Sequence, residues 1–149
     1  MAVALLDANV LLALAWPHHV HHKAAREWFA AHRSRGWATC PWTQAAFVRI
    51  SSQPGAVKTA VTVQDAVRTL ETAVAAPEHV FWSVEHGLPE ILPEIRTRLM
   101  GHRQLSDGLL LDLAIRRGGK LATLDRGVEN LLAADSPHRQ ALEVLPLES

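Results

Sequence analysis

Three aspartates stand where a carboxylate can meet a ligand as well as solvent. Asp7 closes an apolar run, residues 2–6, and an apolar helix pattern follows at once. Asp107 stands at the mouth of the apolar stretch in QLSDGLLLDLA, and Asp125 ends the segment KLATLD. Acids at the ends of buried strands mark the C-terminal edge of an α/β sheet, the edge where open α/β folds bind ligands. Each also has an ordinary reading: Asp7 or Asp107 as a helix cap, Asp125 before Arg126-Gly127 as turn chemistry. Taken together, the three predict a shared site. Two carboxylates ~4 Å apart repel by about 4 kcal/mol even at an effective dielectric near 20. Converging acids therefore call for a cation, and an all-oxygen ligand set favours Mg²⁺, or Mn²⁺, over Zn²⁺. Such an ion, held by carboxylates and water, suits phosphodiester hydrolysis.

The surrounding elements must place these acids. Residues 2–6 predict a strand and residues 8–16 a helix that Pro17 stops. Residues 18–33 predict an amphipathic helix with Val20, Ala24, Trp28 and Ala31 on its core stripe. Residues 37–40 predict a strand, 43–52 a helix, 63–76 a helix with a clean apolar period, and 79–84 a strand. Residues 88–100 predict a helix despite Pro89 and Pro93. The next helix is capped by Ser106 or Asp107 and is apolar on nearly every face over 109–115, so it is buried. A strand at 121–124, a short helix at 128–133 and a final edge strand at 141–147 follow. Strands alternating with helices, without hairpin signals, predict an α/β fold with a mostly parallel sheet and helices on both faces.

Composition limits the alternatives. The 149 residues, 48% hydrophobic, predict one domain with a sizeable core. Fifteen basic and fifteen acidic residues cancel, so no basic field covers the surface. One cysteine, Cys40, excludes an internal disulfide and fits a reducing compartment; it reads as a small buried hydrophobe. No signal peptide and no apolar run near the ~20 residues of a membrane span are visible. The expectation is a cytoplasmic protein with no membrane association. No G-x-G-x-x-G follows the first strand, which disfavours a dinucleotide oxidoreductase. A haloacid-dehalogenase-type phosphatase wants a second acid at the position of Asn9.

The segments LLDANVLLAL, TQAAFVRI, LSDGLLLDLA and LATLD, in this order and spacing, resemble a PIN domain, and more closely the VapC toxins of bacterial VapBC toxin–antitoxin pairs. The resemblance spans essentially the whole chain, residues 1–147. It implies a PIN-like three-layer fold and an Mg²⁺-dependent endoribonuclease toxin that cuts structured RNA such as tRNA or rRNA. It further implies a cognate VapB-type antitoxin and a homodimer. By position, Asp7, Asp107 and Asp125 match three of the family's catalytic and metal-binding acids. Asp7 and Asp107 would be the primary ligands and Asp125 an outer or second-metal ligand, with Asn9, Ser106 and Thr123 supporting them. The family's usual helix glutamate is replaced by Gln44, which removes one formal charge from the site. A PIN-like binding module that has lost catalysis is the competing reading.

Arg103 and Arg126 lie nearest the acids in sequence and are the candidate RNA phosphate contacts. His18 and His22 are spaced i, i+4, but the cluster reads as a solvated helix entry, because no Cys or acid lies close enough in sequence to complete a zinc site. Of five tryptophans, Trp28 is expected in the core; Trp16, Trp37, Trp42 and Trp82 are left open between core and interface.

Overall fold

The computed structural model describes residues 2–147. Five parallel strands form one sheet in the order β3-β2-β1-β4-β5. They are β1 (Ala4–Leu6), β2 (Trp37–Thr39), β3 (His79–Phe81), β4 (Lys120–Thr123) and β5 (Leu142–Val144). The helices are α1 (Ala8–Ala15), α2 (His22–His32), α3 (Pro41–Ser51), α4 (Val63–Val74), α5 (Pro93–Arg98) and α6 (Leu105–Arg116). The strands are short, and β1 is buried throughout.

Strand alternation sorts the side chains into two cores. Leu5, Ala38 and Leu121 face the layer of α5 and α6, with Ile95, Leu110 and Leu111. Ala4, Leu6, Trp37 and Ala122 face the layer of α1–α4, with Val10, Trp28 and Phe47. Each fully buried leucine contributes about 1.5–3 kcal/mol. The expected three-layer α/β arrangement is present, and the sheet is parallel throughout.

Several element boundaries differ from the sequence reading. Residues 18–21 form a turn, and α2 begins only at His22, whose Nδ1 lies 2.7 Å from the Ala13 carbonyl. Val20, assigned to the core stripe, is 84% exposed. Helix α6 begins earlier than expected. Gln104, at its N-cap position, accepts hydrogen bonds through Oε1 from the Met100 and Gly101 amides at 2.7 and 3.2 Å. Asp107 therefore lies inside the first turn and is not the cap. Residues 88–100 do not form one helix: Pro93 disfavours helical backbone at Leu92, so a 3-10 turn, Leu88–Glu90, precedes α5. Residues 126–131 likewise form 3-10 turns. On α4 only Ala66 is buried, and Val63 and Val67 of the predicted apolar stripe are exposed.

Two polar clusters fasten the outer pieces. Asp112, buried on α6, accepts from the Leu92 amide and from Arg116 Nε, each at 2.9 Å. Arg116 also donates to the Glu90 carbonyl. Glu143 on β5 accepts from Trp28 Nε1 at 2.6 Å and lies 3.5 Å from Lys120 Nζ, so α2 and β4 both hold the edge strand.

Gly119 begins the turn into β4 where nothing larger fits. A Cβ there would stand 2.5 Å from the Val3 carbonyl and 2.6 Å from the Trp82 ring. Gly119→Ala is expected to lower stability by about 1–3 kcal/mol in urea denaturation, as overpacking against backbone does.

Candidate functional site

The ends of β1 and β4 lie side by side, since Leu6 pairs with Ala122. Asp7 follows β1 directly, and its amide donates to the Ala122 carbonyl at 2.9 Å. This places a carboxylate, only 8% exposed, at the C-terminal edge of the sheet's centre. Its Oδ1 accepts from the Ala8 amide at 2.7 Å, capping α1. Its Oδ2 accepts from the Thr123 hydroxyl at 2.8 Å. Thr123 is the last residue of β4, fully buried, and its Oγ1 also accepts from Asn9 Nδ2 and from the Asp125 amide, both at 3.1 Å. Asn9 Oδ1 accepts from the Leu124 amide at 3.1 Å, which stitches the start of α1 to the end of β4.

Asp125 is exposed and caps the following 3-10 turn through the Gly127 amide at 2.8 Å. Asp7 and Asp125 thus both perform the ordinary capping role that the sequence allowed. Asp107 does not. It is half-buried in the first turn of α6 and accepts no hydrogen bond among the described residues.

The three acids share one field. Burial pushes Asp107 up to about 7, and the charges of Asp7 and Asp125 add to the rise. Burial also raises Asp7; the hydrogen bonds from Thr123 and Ala8 pull it back, and Asp125 pushes it up again. Such mutual displacement of carboxylates is typical of ligand-binding and catalytic clusters. No three His, Cys, Asp or Glu side chains among the described residues are already arranged to hold a metal ion together. The donor chemistry nonetheless fits a hard divalent ion: every group is a carboxylate or neutral oxygen, and Mg²⁺ keeps several waters while using only one or two carboxylates.

The other candidates divide. Asn9 and Thr123 touch Asp7. Ser106 is exposed on α6 and makes no hydrogen bond to the acids among the described residues. Arg103 and Arg126 are exposed on the segments that carry Asp107 and Asp125. Gln44 is engaged elsewhere. Its Nε2 donates to Thr39 Oγ1 at 3.0 Å, and that oxygen lies 2.7 Å from His79 Nε2. Burial holds the His79 ring below its ordinary value, against a hydrogen bond with the Val74 backbone that raises it. A neutral ring accepts the Thr39 proton at Nε2, which leaves the Thr39 oxygen to accept from Gln44. This buried polar chain was not anticipated from sequence. Its only signal there was a threonine and a histidine within runs read as strands. The residues of the His18–His22 cluster gather no three-ligand metal group.

A PIN-domain family model matches residues 4–132. Ribonuclease VapC38 of Mycobacterium tuberculosis is 44% identical over 129 residues, covering 87% of this chain and 89% of that protein. Ribonuclease VapC39 of the same organism is 40% identical over 148 residues, covering 95% and 99%. Among solved structures, VapBC2 from Rickettsia felis bound to a promoter DNA fragment matches with a TM-score of 0.65 at 14% identity, over 97% of this chain and 99% of that one. Mycobacterium tuberculosis VapC20, described as a sarcin-ricin loop cleaving toxin, matches with a TM-score of 0.60 at 14% identity, over 96% and 99%. At these identities the structures establish the shared fold.

Ionising Asp107 costs the folded state. Its folded pKa lies above the ordinary aspartate value of 3.8, so stability is highest below that value and is lost as pH rises towards 7. Metal-free protein should show this loss in denaturation from pH 4 to pH 8, and Asp107→Asn should reduce it, leaving the part that belongs to the raised Asp7 carboxylate. A carbon-13 titration of the carboxylate should give a midpoint near 7 that falls when Asp7 is changed to Asn.

Proposed function

Since this chain belongs to the PIN-domain family, and within it to the VapC ribonucleases, we propose that it is a metal-dependent endoribonuclease and the toxin of a type II toxin–antitoxin pair. The substrate is structured RNA of the tRNA or rRNA class, and the bond hydrolysed is a phosphodiester. Residues 1–149 act as a single PIN domain. The observation that carries the reading is Asp107, a half-buried carboxylate without a hydrogen-bond donor, raised by burial and by two neighbouring acids. A carboxylate left in that state is suited to a cation, because a bound positive charge offsets both the desolvation and the repulsion.

Asp7 and Asp107 are the primary metal ligands and Asp125 is the outer one. Magnesium fits this set best and manganese next. When bound, the ion supplies Lewis acidity at the phosphoryl oxygen and a nucleophilic water. The chain's own residues do the positioning. Thr123 and the Ala8 amide hold Asp7 in one orientation. Asn9 fixes the Thr123 oxygen and ties α1 to the end of β4. Arg103 and Arg126 contact flanking phosphates. Gln44, bound to Thr39, contributes no charge to the site.

The partners follow the same family reading: a VapB-type antitoxin covering the acidic edge, and a second copy of the chain. Exposed Val80 and Phe81 on β3, one of the two outer strands, and exposed Val63 and Val67 on α4 support an apolar interface. No helix among the described residues is long and apolar enough to cross a membrane, and the proposed site of action is the cytoplasm.

Asp7→Asn and Asp107→Asn should each lower cleavage of total RNA in Mg²⁺ by at least about 100-fold while keeping the far-UV spectrum of the wild type. Wild-type protein that cuts nothing in Mg²⁺ or Mn²⁺, yet binds RNA, would instead support the binding-module reading. Gln44→Glu tests the fourth position. If that side chain can swing from Thr39 to the acids, Mn²⁺ affinity measured by calorimetry rises; unchanged affinity places residue 44 outside the metal site.

A further inference from the structure

Four of the five tryptophans are accounted for inside the fold. Trp16 stacks on Phe47 at 5.8 Å and donates to Ser51. Trp28 stacks on His32 at 4.6 Å and donates to Glu143. Trp37 is buried between Phe29 and His79. Trp82 is buried against Gly119. Trp42 is different. It alone among the tryptophans combines half-burial with neither a ring partner nor an N–H partner among the described residues: Trp16, also half-buried, has both, and Trp37, whose Nε1 likewise lacks a partner, is buried, as is Trp82.

Its position is informative. β1 and β2 are parallel neighbours, with Leu5 paired to Ala38, so the segments that leave their C-terminal ends, Asp7 after β1 and Cys40 after β2, emerge at the same edge of the sheet. Trp42 lies two residues beyond Cys40, in the first turn of α3. Its inner edge packs on the core of α5 and α6, the same side of the sheet as Asp107. A partly buried amphipathic ring is therefore carried at the sheet edge that also carries Asp7.

Such a ring has a specific use. Three acids repel an RNA backbone, and the chain's net charge of zero offers no compensating field. Stacking does not depend on charge, and every nucleobase presents a π-face. We propose that Trp42 is a stacking platform for an unpaired nucleobase of the RNA, adjacent to the phosphate held at the acids. The inference rests on the nuclease reading and adds to it. The substrate must offer an extruded or single-stranded base at that nucleotide, and duplex RNA is disfavoured.

The test uses full-length protein carrying Asp107→Asn, so that RNA is not consumed. The probes are a mixed-sequence single-stranded oligoribonucleotide and its duplex. Trp42→Leu keeps apolar bulk without a ring, and Trp42→Phe keeps a ring. The expected result is roughly 10- to 100-fold weaker single-strand binding for Trp42→Leu, near wild-type binding for Trp42→Phe, and little change on duplex. In the active protein KM should rise for Trp42→Leu more than kcat falls. Equal binding and cleavage by Trp42→Leu and wild type, with cleavage still lost in Asp107→Asn, would overturn this proposal and leave the nuclease reading standing. Loss of antitoxin binding alone, with RNA binding intact, would overturn it as well. Wild-type protein that neither binds nor cuts RNA would sink both.

Discussion

The arrangement depends on how a buried carboxylate at the end of β1 is kept in place. Asp7 cannot reach bulk water freely, so its two oxygens must find donors within the fold. Two are supplied locally and one from far along the chain: the Ala8 amide, Asn9 at 3.5 Å, and the Thr123 hydroxyl. Thr123 gives its proton to Asp7 while its oxygen accepts from Asn9 and from the Asp125 amide, so every bonding capacity of the hydroxyl is used. One hydroxyl thus sets the relative position of β1, the first turn of α1 and the β4 exit loop. Replacing it would leave several groups short of a partner at once, and unmet hydrogen bonds in a buried network cost more than the bonds gain individually.

That network secures two of the acids and leaves the third unsatisfied. Asp7 and Asp125 are held by amides and hydroxyls, whereas Asp107 comes from the opposite layer with nothing to hold it but the helix N-terminus. The macrodipole favours its anion; burial and the neighbouring charges oppose it more strongly. The site is therefore strained electrostatically, not sterically. Natural folds tolerate such strain where function benefits from it, and here it sits at the end of β1, a strand buried along its whole length.

The departure at Gln44 acquires a structural meaning from the Thr39–His79 chain. A glutamate at that position would have to accept from Thr39 or turn away, whereas an amide can donate to it. With His79 neutral, Thr39 gives its proton to the ring and receives one from Gln44, so the Thr39 hydroxyl both donates and accepts. The amide thus has a local reason to be an amide.

The α/β class, the strand order along the chain and the positions of the three acids were legible in the sequence. Buried parallel strands are continuous apolar runs, and their ends are marked by the first polar residue. Boundaries were less legible where a polar side chain competed for the backbone. Gln104 occupies the N-cap position expected of Ser106 or Asp107 while its side chain binds the preceding Met100 and Gly101 amides, and Pro93 with Asp112 broke the helix expected over 88–100. Periodicity placed Val20 inside, but the turn after Pro17 turned it outward. Sequence by itself determined which residues carry charge and at which element ends they stand. Only the tertiary structure decided that Thr123, not a local cap alone, orients Asp7, that Asp107 goes without a donor, and that Trp42, half-buried like Trp16, has neither a ring nor an N–H partner among the described residues. Those facts depend on which strands and layers become neighbours, and that is set by long-range packing across more than a hundred residues of chain.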